Sequence, residues 1–109
     1  MSATSGFLVF GANAGILGLL AHTLERWEAA QAHFEAALAF NARMGARPLV
    51  VQTQYDYARM LLDRGAPADR GRAEALLADA LPIATELGMA PLIERIGRLQ
   101  AELPDTTSA

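Results

Sequence analysis

Apolar residues recur at steps of three and four along most of this chain, and no segment alternates apolar and polar residues as an exposed strand would. Glycine and proline divide the pattern into helical stretches. We predict an all-α fold of antiparallel helical hairpins that forms a single domain. The five predicted helices are about Leu8–Leu24, Trp27–Met44, Pro48–Arg64, Asp69–Leu87 and Pro91–Leu103, with residues 104–109 as a polar tail.

Four residues mark where these helices begin, end or bend. Gly45 is predicted to end the second helix, because glycine adopts the left-handed conformation that closes helices. Pro48 suits the first turn of the third helix, where its missing N–H costs nothing. Asp69 is predicted to be the N-cap of the fourth helix. Pro82 lies inside that helix, removes one hydrogen bond, and is predicted to bend or divide it.

The apolar stripes predict which side of each helix faces the core. Alanine is frequent on these stripes, and its small side chain lets helices approach closely. The predicted inward residues are Trp27, Ala30, Phe34, Ala37, Leu38, Phe40 or Asn41, Val51, Tyr55, Ala58, Leu61, Leu62, Ala73, Leu76, Leu77, Ala80, Ile83, Ala84, Leu87, Leu92, Ile96 and Leu99.

The first predicted helix differs from the others because it is apolar on every side. Its segment Phe7–Ala21 is shorter than the roughly 20 residues that cross a bilayer, so we interpret it as a buried helix. A chain of 109 residues can hardly bury such a helix on all sides alone. We therefore predict a homodimer, with Phe10, Leu17 and Leu20 as self-association residues and Pro91–Leu103 as a second candidate surface.

Two predicted hairpins, Leu8–Met44 and Pro48–Leu87, carry the same pattern of small and large residues. The second helix of each has the spacing A-x-x-x-[FL]-x-x-A, and the first has a large-small pair. The matched residues are Ala30, Phe34 and Ala37 with Ala73, Leu77 and Ala80, and Leu17-Gly18 with Tyr57-Ala58. The chain thereby resembles the tetratricopeptide repeat (TPR), where small residues at a helix crossing let the two helices touch.

This resemblance implies a TPR-like α-α superhelix, with units about 8–44 and 48–87 and a capping helix about 91–103. The chain departs from the repeat at Ala14 and Ala21, where bulky aromatics are usual, and at Ala42, where proline is usual. Over about Ala21–Met89 it also resembles the C-terminal helical array of large bacterial regulators with ATPase, nucleotide-cyclase or LuxR-type domains. That resemblance implies a protein-binding or sensing array of a signalling or transcription regulator.

A polar stripe on the third helix is the main candidate binding site. Gln52, Tyr55, Arg59 and Asp63 follow one another at steps of three and four and therefore share one helical face. In a TPR-like array the first helix of each pair lines the concave surface, so the resemblance places this stripe, with His22, in a partner-binding groove. There Arg59 and Gln52 would hold a peptide carboxylate or backbone. The alternative is a local Arg59–Asp63 ion pair on a wet surface.

Charge and composition narrow the classes of function. The net charge is −3, whereas a nucleic-acid partner favours a basic face. The chain has no lysine, hence no lysine base or P-loop, and no cysteine, which fits a cytoplasmic location. His22 and His33 are not at metal-ligand spacing. We therefore expect no metal, cofactor or enzymatic activity, and a protein or peptide partner rather than nucleic acid or membrane.

Two other functions, nucleotide binding and small-molecule sensing, fit parts of the sequence. Val9–Gly18 is similar to the phosphate-binding turn of short-chain dehydrogenases, but its last glycine falls one residue late, and their Tyr-x-x-x-Lys pair needs a lysine. Glycines that permit close helix packing are the ordinary interpretation of that segment. The other function is a small-molecule sensor that binds an apolar ligand between alanine-rich helices, with Tyr55 or Gln52 as polar contacts.

Overall fold

Every regular element in the described part of the chain is a helix. The computed structural model describes residues 15–103, and this range contains no strand. Helix α1 is described over 15–23 and is followed by α2 (Trp27–Met44), α3 (Arg47–Arg64), α4 (Asp69–Leu87) and α5 (Ala90–Glu102). Each helix packs antiparallel to the preceding one, so the predicted all-α architecture is confirmed.

Local sequence signals set most of the helix boundaries. Gly45 has a left-handed φ of 70° and closes α2 at the predicted residue. Pro48 lies in the first turn of α3, also as predicted. Pro82 lies inside α4, which continues to Leu87, so this proline does not divide the helix.

Asp69 has a different role from the predicted N-cap. Ala68 occupies the N-cap position of α4, and Asp69 is the first helical residue. The buried Asp69 carboxylate accepts hydrogen bonds from Arg64 Nε at 2.6 Å and Nη2 at 2.7 Å, and from the Ala66 N–H at 3.3 Å. The hydrogen bonds from Arg64 lower the pKa of Asp69. Arg64 also donates to Gln31 Oε1 at 3.1 Å, so the Arg64–Asp69 ion pair links the α3–α4 turn to α2.

The core follows the predicted alanine-rich stripes. All six residues of the repeated A-x-x-x-[FL]-x-x-A pattern are 0% exposed, so α2 and α4 bury the same pattern. They are Ala30, Phe34, Ala37, Ala73, Leu77 and Ala80. Leu87 is an exception among the predicted inward residues, because it is the last residue of α4 and is 37% exposed.

Helix α3 is buried on more sides than its apolar stripe predicts. It packs between α2 and α4 and also touches α5, so Thr53, Tyr57 and Met60 are buried as well. The Tyr57 ring stacks on the Phe34 ring, with centroids 5.7 Å apart and planes inclined by 17°. The Tyr57 hydroxyl donates to Glu35 Oε2 at 2.8 Å, which gives this buried phenol a partner.

The fold is expected to lose stability in alkaline solution through Tyr57. Burial, followed by the hydrogen bond to Glu35, raises the pKa of Tyr57 to about 12. Folding therefore favours the neutral phenol. Its contribution to the free energy of unfolding is complete below about pH 10 and is lost as the pH rises towards 12. Urea unfolding across that range should show a falling free energy of unfolding, and the fall should be smaller in Tyr57→Phe. An equal fall in both proteins would rule out Tyr57 as the titrating group.

Helix α1 meets α2 at a glycine. A Cβ atom added at Gly18 would lie 2.7 Å from atoms of the Phe34 ring. Gly18 and Ala21 are the buried residues in the described part of α1. The missing side chain at Gly18 therefore allows α1 to approach the Phe34 side of α2, the role that its alignment with Ala58 predicts.

Candidate functional site

One surface of the fold is lined by the alternate helices α1, α3 and α5, and we call it the odd-helix face. Cavity A, of about 440 Å³, lies between α3 and α5, and cavity B, of about 490 Å³, lies between α1, the start of α2 and α3. A third cavity, of about 310 Å³, adjoins the end of α5. All three cavities are lined by Arg59, so they meet at one exposed side chain of α3.

The structure brings the five predicted groove residues to this face. Gln52 and Tyr55 line cavity A, His22 and Asp63 line cavity B, and Arg59 lines both. The α3 residues share the face because of their helical spacing. His22 joins them because α1 lies beside α3, and partner binding by these residues stays a prediction.

A hydrogen bond between His22 and Asp63 links α1 to α3. The Nε2 N–H of His22 donates to Asp63 Oδ2 at 2.5 Å, and the His22 ring lies 5.8 Å from the Trp27 ring. Arg59 instead lies over the Tyr55 ring, with Cζ 5.9 Å from the ring centroid. The alternative of a local Arg59–Asp63 ion pair is therefore not formed, and the Asp63 carboxylate contributes to the α1–α3 contact.

Asp56 lies at the buried side of cavity A and was not among the predicted site residues. It is 8% exposed, and its Oδ1 accepts a hydrogen bond from Gln52 Nε2 at 3.2 Å. Burial raises the pKa of Asp56, while Gln52, Arg59, His22 and Arg95 act in the opposite direction. The carboxylate is thus kept in a site where its charge is poorly solvated.

Replacing Asp56 with asparagine is expected to stabilise the fold. A carboxyl whose pKa is raised by folding is favoured in its protonated form, so stability falls as the pH rises through its folded pKa. Asparagine removes the charge and keeps an oxygen that can accept from Gln52. We expect a melting temperature at neutral pH that is higher by about 2–6 °C. Asp79→Asn, on the exposed side of α4, should change it little.

Helix α5 supplies side chains that sequence reasoning missed. Arg95, Arg98, Leu99 and Glu102 line cavity A opposite α3. The three- and four-residue spacing of Arg95, Arg98 and Glu102 was a signal in the sequence, since these three form a polar edge beside Leu99 and the other inward residues of α5. Only packing shows that this edge faces the α3 stripe. Arg98 also forms an ion pair with Glu94 one turn earlier in α5.

The predicted self-association residues fall partly within the described range. Phe10 lies outside residues 15–103, whereas Leu17 and Leu20 are 46% and 54% exposed. Ile16 and Leu24 are 53% and 67% exposed and extend the same apolar surface. In a single chain the described part of α1 is therefore not buried on every side, as expected for a chain of this length, and its burial in a homodimer stays a prediction.

The described residues meet neither the requirements of a metal site nor those of a membrane-spanning helix. Across residues 15–103, no three His, Asp or Glu side chains are grouped closely enough to hold a metal ion. The helices in the same range are too short or too polar to cross a membrane.

Comparison with protein-family models, curated proteins and solved structures gives no match for this chain.

Proposed function

We propose that this chain is a TPR-like protein-interaction module that binds a partner peptide along the odd-helix face. One observation carries the proposal: cavities on both sides of α3 meet at Arg59 and are lined by polar side chains from three helices. A peptide laid across α1, α3 and α5 would meet hydrogen-bonding groups along its length.

The hairpin arrangement supports a TPR-like assignment. The two matched triplets are buried equally, and the first helix of each pair lines the proposed binding face. These are the features by which a repeat of hairpins presents one concave surface. We further propose that the module belongs to, or derives from, a bacterial signalling or transcription regulator, and that it acts in the cytoplasm.

The character of the cavities favours a polar peptide over the alternative of an apolar small molecule. Apolar ligand sites are mostly enclosed by hydrophobic and aromatic side chains. Cavity A is instead bordered mainly by charged and amide side chains, including Arg59, Arg95 and Asp56. We propose binding of a peptide, and no catalytic activity, for this face.

Selection from a library of displayed random peptides tests this proposal without knowledge of the natural partner. We expect the wild-type chain to enrich related sequences, and Arg59→Ala to reduce their binding about tenfold or more. Arg43→Ala is the matched control, because Arg43 is an exposed arginine at the end of α2 that lines none of the three cavities. Failure to enrich any related peptides, or equal losses in both variants, would contradict binding on this face.

Self-association is a second candidate function, favoured by the exposed apolar surface of α1. Ile16, Leu17, Leu20 and Leu24 are each at least 46% exposed. Burying one leucine side chain stabilises an interface by about 1.5–3 kcal/mol, so leaving four apolar residues in water is costly.

Light-scattering mass over a dilution series tests this second function. A dimer is expected at micromolar concentrations, and the double change Leu17→Ser and Leu20→Ser should give a monomer with unchanged helicity. Leu87→Ser, at an exposed position at the end of α4, should remain dimeric. A wild-type chain that stays monomeric over the whole series would exclude dimerisation through α1.

A further inference from the structure

Two arginines in cavity A have no carboxylate partner among the described residues. Arg59 on α3 and Arg95 on α5 both line the cavity, and neither forms an ion pair with any of residues 15–103. Arg98, the third arginine there, is already paired with Glu94. Two guanidinium groups, each with five N–H donors, are thus available on facing helices.

The acidic side chains of cavity A do not occupy these donors. Asp56 is buried and accepts its hydrogen bond from Gln52, and it acts on Arg59 and Arg95 only through their charge. Glu102 lines the rim without an ion pair among the described residues. A carboxylate from outside the chain would therefore find two planar guanidinium groups of the geometry that binds it bidentately.

Cavity B offers a different chemistry beside the same arginine. Leu19 and the half-buried ring of Trp27 line it together with Arg59. The His22–Asp63 hydrogen bond pairs two of its polar groups, and Thr23 Oγ1 donates to the Leu19 carbonyl at 3.0 Å, while the exposed Glu25 also lines the cavity. Leu19 and Trp27 form the apolar part of the cavity wall, which suits a large apolar side chain.

We infer that the odd-helix face recognises a peptide in which an acidic group lies close to a large apolar residue. The carboxylate binds between Arg59 and Arg95, and the apolar side chain packs against Leu19 and Trp27. This inference rests on the proposed function and specifies its ligand class. Either an acidic side chain or a chain end supplies this carboxylate, since both present the same two oxygens.

The test extends the displayed-peptide selection to two libraries, one with free C-termini and one with blocked C-termini. We expect enriched peptides to carry an acidic group near Phe, Trp, Leu or Ile. Synthetic copies should lose affinity about tenfold when the acidic side chain is changed to its amide. If a chain end is the source, amidating the C-terminus should cause that loss instead.

A mutant cycle tests whether the loss of peptide affinity depends on Arg59 and Arg95. Arg59→Ala and Arg95→Ala should each weaken the acidic peptide about tenfold but change the amide peptide much less. Arg43→Ala should affect neither peptide. Enriched peptides without an acidic group, or equal losses for acidic and amide peptides, would overturn the inference and leave the proposed function standing. Enrichment of no peptide at all would overturn both.

Discussion

Replacing Phe34 with alanine is expected to lower the free energy of unfolding by about 3–5 kcal/mol, which is the usual cost of deleting a buried aromatic ring. Phe34 is 0% exposed, stacks on Tyr57 and fills the space left by Gly18. A chain of this size has about 5–15 kcal/mol of stability, so the loss is a substantial fraction of the total and should clearly lower the urea midpoint.

Urea unfolding followed by circular dichroism measures this effect directly. Leu87→Ala is the matched control, since Leu87 is 37% exposed and should lose about 1 kcal/mol or less. A similarly small loss for Phe34→Ala would contradict close packing of the Phe34 ring against Gly18 of α1 and Tyr57 of α3.

The second large effect is expected at Gly18. Its added Cβ would lie 2.7 Å from the Phe34 ring, so Gly18→Ala should cost about 1–3 kcal/mol through overpacking and displace α1 from α2. Gly15→Ala is the matched control in the same helix, because a Cβ there meets nothing within 4 Å. It should be neutral or stabilise by up to about 1 kcal/mol through helix propensity.

A compensating change at Phe34 tests whether a clash with its ring causes the loss of stability in Gly18→Ala. The second hairpin has Ala58 and Leu77 at the positions that match Gly18 and Phe34, and both are 0% exposed. The double variant Gly18→Ala with Phe34→Leu copies that combination into the first hairpin. It should be more stable than the two single losses predict, by about 1 kcal/mol or more. Strict additivity of the two changes would contradict a steric contact between α1 and Phe34.

Helix positions could be predicted from sequence because their signals are local. The bounds of α2 agree with prediction at both ends, since Gly45 and the apolar stripe beginning at Trp27 act within a few residues. The Asp69 assignment was wrong because its carboxylate is bound by Arg64 at the end of the preceding helix, and Ala68 takes the cap position.

The candidate site could be predicted only where it follows helical spacing. Gln52, Tyr55, Arg59 and Asp63 share a face because they lie on one helix. The contribution of α5 and the burial of Asp56 depend on how helices distant in sequence pack together, which no local pattern specifies. For the same reason the sequence could not show that Asp63 is bound by His22 rather than by Arg59.

Amide chemical-shift mapping with a selected peptide is the most direct test of binding on the odd-helix face. We predict that the largest shifts cluster on α3 around Gln52, Tyr55, Arg59 and Asp63, with further shifts at His22 and Arg95. Saturating shifts confined to the outer surfaces of α2 and α4, with the odd-helix face unchanged, would contradict the proposed function.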